Sequence, residues 1–129
     1  MSEFNFKSQV CTDKNQSERL LALGLKKETA DCMHNHCWTS EDGIVDDIPA
    51  WSLWRLIEML PTSIKDRYHY SLIYDIHRDL VGYMCYSDGI SRYTNRFLWD
   101  TQSTNLFDNI IVCIEWLIKE GYFNKEYLV

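Results

Sequence analysis

The stretch that decides the fold runs from Tyr68 to Lys119, and it reads YHYSLIYDI (68–76), LVGYMCY (80–86), ISRYTNRFLW (90–99) and LFDNIIVCIEWLIK (106–119). In the first segment Tyr68, Tyr70, Leu72, Tyr74 and Ile76 share one parity, while His69, Ser71, Ile73 and Asp75 share the other. Neighbouring side chains of a strand point to opposite faces, so this alternation, rich in aromatics, predicts a β-strand. His77, Arg78 and Asp79 make a turn. Leu80 to Tyr86 makes a second strand, with Gly82 as a bulge or a point of close approach. Ser87, Asp88 and Gly89 make a second turn. Ile90 to Trp99 makes a third strand, with Tyr93, Phe97 and Trp99 on one parity and Arg92, Thr94 and Arg96 on the other. Connections this short imply an antiparallel meander.

The fourth segment changes period. Leu106, Ile110, Cys113, Ile114 and Leu117 form a helical stripe, with Phe107, Ile111 and Ile118 beside it. Polar residues from Thr101 to Asn105 offer N-caps, Asp108 sits where the helix dipole favours a negative charge, and Gly121 marks the end. This helix is expected to cover one face of the sheet.

Working back towards the start, Thr12 is expected to cap a helix from Asp13 to Leu23, which Gly24 ends, and a second short helix is expected from Lys26 to Met33. Asn35 to Asp47 reads as a loop. Pro49 keeps Ile48 out of the helical region. Ser52 caps a further helix as far as Leu60, with Leu53, Leu56, Ile57 and Leu60 on one face and Pro61 as its stop. The fold class is therefore α+β: N-terminal helical segments, a three-stranded antiparallel meander, and a C-terminal helix packed on the sheet. The 129 residues suit one globular domain over 1–129, with 1–11 as a loosely ordered arm.

Composition narrows the classes of function. Hydrophobic residues make up 46% and aromatics 14%, a folded rather than a disordered balance. The net charge of −6 and pI near 5.1 oppose binding to phosphate backbones or anionic membranes, which calls for Lys and Arg. The longest apolar run, Ile110 to Ile118, is interrupted by Glu115 and is too short to span a bilayer. The opening residues do not read as a signal peptide, and the five cysteines are an odd number, so a cytoplasmic protein with reduced thiols is expected.

The sharpest chemical cluster is Cys32-Met33-His34-Asn35-His36-Cys37. Thiolates and imidazoles are zinc ligands, so Cys32, His34, His36 and Cys37 are the metal candidates, with a distant Cys11 able to join two of them. Their spacing is poor, since structural zinc sites pair two knuckles across a longer loop. The reading favoured here is a helix end with no cofactor. Asp75, His77 and Asp79 offer a carboxylate–imidazole pair for acid–base work, against the plainer reading of a solvated turn. Glu41, Asp42, Asp46 and Asp47 supply oxygens but lack the pattern of a calcium loop. Tyrosines beside Arg92 and Arg96 resemble a base-stacking platform, but the same alternation serves a helix-covered sheet. The five glycines are scattered singly, and no phosphate-binding loop, nucleophile elbow, H-E-x-x-H or C-x-x-C occurs.

Three segments, Asn15-Gln16-Ser17-Glu18-Arg19-Leu20-Leu21-Ala22-Leu23-Gly24-Leu25, Glu28-Thr29-Ala30-Asp31 and Ile48-Pro49-Ala50-Trp51-Ser52-Leu53, carry a further signal. There the chain resembles a group of short proteins of gut bacteria and their prophages or mobile elements. The resemblance implies an accessory protein and no activity, since the group has none assigned and no fixed Cys/His pattern.

The expected function is a small non-enzymatic interaction protein with a protein partner, because no catalytic motif accompanies the surplus aromatics Trp38, Trp51 and Trp54. A hydrolase using His34, His36, His69 or His77, alone or with a metal, is the alternative, and it requires at least two of these to converge. A nucleic-acid accessory factor built on Arg92 and Arg96 is the third reading. One face of a three-stranded sheet is left to be covered by the N-terminal helices or by a second copy of the chain.

Overall fold

The computed structural model describes residues 8–34, 39–40, 43–44, 48–65, 71–87, 90–93 and 103–129. The first helix, α1, spans Lys14–Ala22. Its N-cap is Asp13, one residue later than expected: the Asp13 carboxylate accepts from the Gln16 amide (2.7 Å), and the Gln16 side chain accepts from the Asp13 amide (3.0 Å). Thr12 is drawn away from capping by tertiary contacts. Its hydroxyl meets the Ser17 hydroxyl (2.8 Å) and accepts from the Trp51 amide (3.0 Å). Gly24 closes the helix at φ 100°, with Gly24 N–H donating to Leu21 C=O and Leu25 N–H to Leu20 C=O. Leu20 and Leu25 are both buried across this turn, the apolar contact that accompanies such a closure.

The expected helix from Lys26 to Met33 does not form. A 3₁₀ turn, Lys27–Thr29, is followed by a strand, β1 (Cys32–His34). A segment of about two turns gains too little from its own hydrogen bonds to hold a helix. A tertiary partner decides instead. The loop expected from Asn35 to Asp47 holds a small hairpin, β2 (Thr39–Ser40) with β3 (Gly43–Ile44). Beyond it, β4 (Ile48–Ala50) pairs antiparallel with β1, with Cys32 opposite Ala50 and Met33 opposite Pro49. Helix α2 (Leu53–Met59) follows, with Ser52 as its N-cap as expected.

Among the described residues the main sheet has four antiparallel strands rather than three, in the order β5 (Ser63–Lys65), β6 (Ser71–His77), β7 (Leu80–Ser87), β8 (Ile90–Tyr93). The extra edge strand β5 is three residues long, too short for alternation to reveal. The expected strand start at Tyr68 and strand end at Trp99 lie outside the described residues. Gly82 pairs in step with Asp75, so it is not a bulge. Leu72, Val81 and Tyr83 are fully buried on one face of the sheet, and Tyr74 and Ile76 pack there too.

Helix α3 (Leu106–Glu120) lies on that face, which carries the α+β expectation through. Ile110, Ile111, Cys113, Ile114 and Leu117 are fully buried. Each aliphatic side chain so buried contributes about 1.5–3 kcal/mol. Trp116 and Tyr83 meet with ring centroids 6.3 Å apart. Asn105 is the N-cap, and Gly121 ends the helix at φ 81° with the same paired closure as Gly24, onto Ile118 and Leu117. Asn109 is fully buried, and its amide exchanges two hydrogen bonds of 2.7 Å with the Ser103 backbone, which leaves its side chain satisfied.

The starts of α1 and α3 are joined by a polar clamp. Gln16 donates to Asp108 (2.7 Å) and to Asn105 (3.3 Å), while Gln9 bonds both Gln16 and Asn105. Gln9 and Cys11 thereby contact the body of the protein, while Val10 is exposed; residues 1–7 of the expected arm lie outside the described residues.

Candidate functional site

The chemistry of interest gathers where residues 11–12 meet β1 and the end of β4. Cys11 bridges Ser52 through the backbone, and the Thr12 amide donates to Trp51 C=O at 2.9 Å. Cys32 is held opposite Ala50, two residues earlier on the same run of chain. These pairings bring the two sulfurs to 2.7 Å. Both cysteines are half-buried.

Asp31 organises the corner. Its carboxylate accepts from the Ser52 amide (2.8 Å) and from the Ser52 hydroxyl (2.5 Å). Desolvation pushes its pKa upward, but the Ser52 hydroxyl and amide outweigh that and hold it below the ordinary carboxylate value. The Cys32 thiol moves the other way. Desolvation, then its hydrogen bond and electrostatic interaction with Cys11, then the charge on Asp31 push it up to about 12. Cys32 therefore keeps its proton at neutral pH. Beneath this corner the Trp51 indole donates to the Thr29 hydroxyl (2.9 Å), and the Arg55 guanidinium donates to Thr29 C=O (2.7 Å). These bonds fix the 3₁₀ turn against α2.

An open groove of about 570 Å³ runs beside the corner, lined by Lys27, Glu28, Asp31, Cys32, Met33 and Pro49 among others. Met33 is 65% exposed, and Trp54, on the first turn of α2, is 68% exposed. The Asp31–Ser52 bonds tie the segment bearing Met33 to the segment bearing Trp54. Trp51, which reads from sequence as its companion, is fully buried instead.

The metal candidates divide. Cys32 stands beside Cys11. The side chain of His34 and all of His36 and Cys37 lie outside the described residues. Among the described residues no group of three or more His, Cys, Asp or Glu side chains is arranged to hold a metal ion. The sulfur separation bears on the chemistry directly. Two thiolates on one tetrahedral zinc stand about 3.8 Å apart, from a Zn–S distance of about 2.3 Å, and the pair is much closer than that.

The acid–base candidates do meet in part. His77 Nε2 lies 3.0 Å from Asp75 Oδ2. Two positions apart on β6, they share the sheet face opposite the one α3 covers. Asp79 is exposed in the turn. His69, Arg96, Trp38 and the acidic residues Glu41, Asp42, Asp46 and Asp47 lie outside the described residues, as does the Arg92 side chain. Of the strand tyrosines, Tyr83 is buried and donates to Pro61 C=O (2.6 Å), and Tyr74 is half-buried; the side chains of Tyr86 and Tyr93 lie outside the described residues.

Sequence reasoning missed Asp31, and it read Ser52 as a helix cap alone. A Ser beside a paired strand is too common a pattern to announce that role. Cys11 is legible only as a distant partner for Cys32. No protein-family model matches this chain, and neither a curated protein nor a solved structure does.

Proposed function

We propose that this chain is a small non-enzymatic accessory protein that acts by binding another protein. The observation that carries this reading is the outward display of Met33 and Trp54 on ordered segments joined by the Asp31–Ser52 bonds. Large apolar side chains held rigidly in solvent are what a protein interface uses as anchors. The occupant that suits the adjoining groove is a partner segment with an apolar anchor flanked by a basic residue. Ala30, Met33 and Pro49 supply apolar contact, the carboxylates of Glu28 and Asp31 outnumber the one cation, Lys27, and the chain as a whole carries −6. The resemblance to proteins of prophages and mobile elements supports an accessory role in such an element.

The test is native mass spectrometry of protein purified gently from its host, beside a Met33→Glu/Trp54→Ser variant of unchanged melting temperature. The expected result is a stoichiometric protein adduct that the variant loses at least tenfold. A bare-chain mass for the wild type, or an adduct indifferent to the substitutions, refutes the reading.

The Asp75–His77 contact keeps a second reading, a histidine-based hydrolase, with His77 the one of the four candidate histidines whose side chain is described. The carboxylate orients the imidazole through Nε2 and leaves Nδ1 to take a proton. Hydrolysis of an activated ester by the wild type, abolished in His77→Gln, supports it. Equal rates for the two proteins dispose of it.

A further inference from the structure

We propose that Cys11 and Cys32 are a redox site: a thiol pair that closes to a reversible disulfide and fastens the N-terminal segment to β1. The two residues stand 21 positions apart in sequence, and their sulfurs approach to 2.7 Å. That separation is a direct thiol–thiol contact, longer than a sulfur–sulfur bond of about 2.05 Å and well inside the spacing of two zinc-bound thiolates, about 3.8 Å. The pair thus suits bond formation rather than chelation. The backbone on each side is already fixed, Cys32 by its pairing with Ala50 and Cys11 by its bridge to Ser52. Closure shortens the sulfur separation from 2.7 Å to about 2.05 Å. Both sulfurs are half-buried, open to a small oxidant, whereas Cys113 is sealed under α3.

The oxidant is a small-molecule disulfide such as oxidised glutathione. Cys11 attacks first, because Asp31 and the surrounding burial keep the proton on Cys32. The Cys11 thiolate takes one half of the glutathione disulfide and expels the other half as a thiolate. That leaving thiolate accepts the Cys32 proton. Cys32 then attacks the Cys11 sulfur and expels the second glutathione thiolate, which picks up a proton from solvent as the Cys11 thiol had released one. Two protein thiols become one disulfide, and one oxidised glutathione becomes two reduced ones. The closed pair links β1 covalently to residues 11–12, whose backbones already meet through Ser52 and Ala50. This inference is independent of the partner-binding reading, because its readout needs no partner.

The experiment equilibrates the whole folded chain in glutathione buffers of graded ratio, quenches with an alkylating agent under denaturing conditions, and cleaves at methionine with cyanogen bromide. Met33 separates Cys32 from Cys37, so a Cys11–Cys32 bond stays within fragment 2–33, whereas a bond to Cys37 ties that fragment to 34–59. The expected result is fragment 2–33 with two fewer alkyl groups and no cross-link to its neighbour. Its melting temperature should rise by roughly 5–10 °C on oxidation, through the closed loop. In Cys32→Ser a stable glutathione adduct should collect on Cys11, while Cys11→Ser should collect far less on Cys32. Thiols that remain free in fully oxidised buffer overturn the proposal, and so does a cross-link between the two fragments. Because the wild type supplies the mass and melting readouts, poor folding of either variant leaves the test intact.

Discussion

The α3 side of the molecule and the Cys11/Cys32 corner are built on opposite principles. Where α3 meets β6 and β7, the contact is dry and apolar: Ile110, Ile114 and Leu117 lie against Leu72, Val81 and Tyr83 in one continuous core. At the corner the contacts are polar, and each spans a long stretch of chain: Thr29 with Trp51, Asp31 with Ser52, Thr12 with Trp51, Cys11 with Cys32. The first region supplies most of the stability, because burying apolar surface is worth far more than the net gain of a hydrogen bond. The second specifies which segments meet. It therefore concentrates the chemistry, since thiols and carboxylates retain reactivity where solvent reaches them.

Four outcomes would sharpen or break that contrast. The largest effect is expected from Leu117→Ala under α3, which should cost about 2–5 kcal/mol in chemical denaturation through lost burial and a cavity. Next comes Trp51→Phe, which keeps most of the ring's burial but removes the indole donor to Thr29; about 1–3 kcal/mol is expected. If Trp51→Phe cost as much as Leu117→Ala, the corner would carry stability equal to the core and the contrast would fail.

Gly121→Ala isolates backbone conformation, because an added methyl meets nothing within 4 Å while φ is 81°. A loss of about 1 kcal/mol is expected from the left-handed geometry alone. A neutral result would mean that α3 relaxes at its end without loss.

The smallest effects are those of pH, and they act at opposite ends of the scale. Asp31 has a folded pKa below its ordinary 3.8, so the folded chain binds fewer protons there than the unfolded one. Its contribution is present above about pH 4 and is lost as pH falls through the folded value. In the reduced protein, Cys32 and Cys113 are both raised from 9.0 to about 12, the latter by burial. Their contribution is complete below pH 9.0 and is lost as pH rises towards 12. Denaturation midpoints across this range should fall at both ends. Asp31→Asn should soften only the acid limb and Cys32→Ser only the alkaline one. A Cys32→Ser profile that matches the wild type above pH 9.0 would remove Cys32 from the account.

Signals that live within a turn or two of chain were legible in the residues themselves. The stripe from Leu106 to Leu117, the caps at Ser52 and Asn105, the stops at Gly24 and Gly121 and the alternation around Leu72 to Ile76 each involve neighbours in sequence. Their physical cause, helical or pleated periodicity and a glycine's access to positive φ, operates locally. Lys26 to Met33 shows where that reasoning ends. Its helical composition was overruled by pairing with Ile48–Ala50, a partner no local window contains. The edge strand Ser63–Lys65 was hidden for a related reason: three residues become a strand only when β6 is there to bond them. The candidate site followed the same division. Cys32 drew notice as a ligand type and Ser52 as a cap, both from local chemistry. That Asp31 holds Ser52, and that Cys11 lies against Cys32, was decided by the tertiary structure alone, because a hydrogen bond or a thiol pair joining residues some twenty positions apart exists only once packing has brought their backbones together.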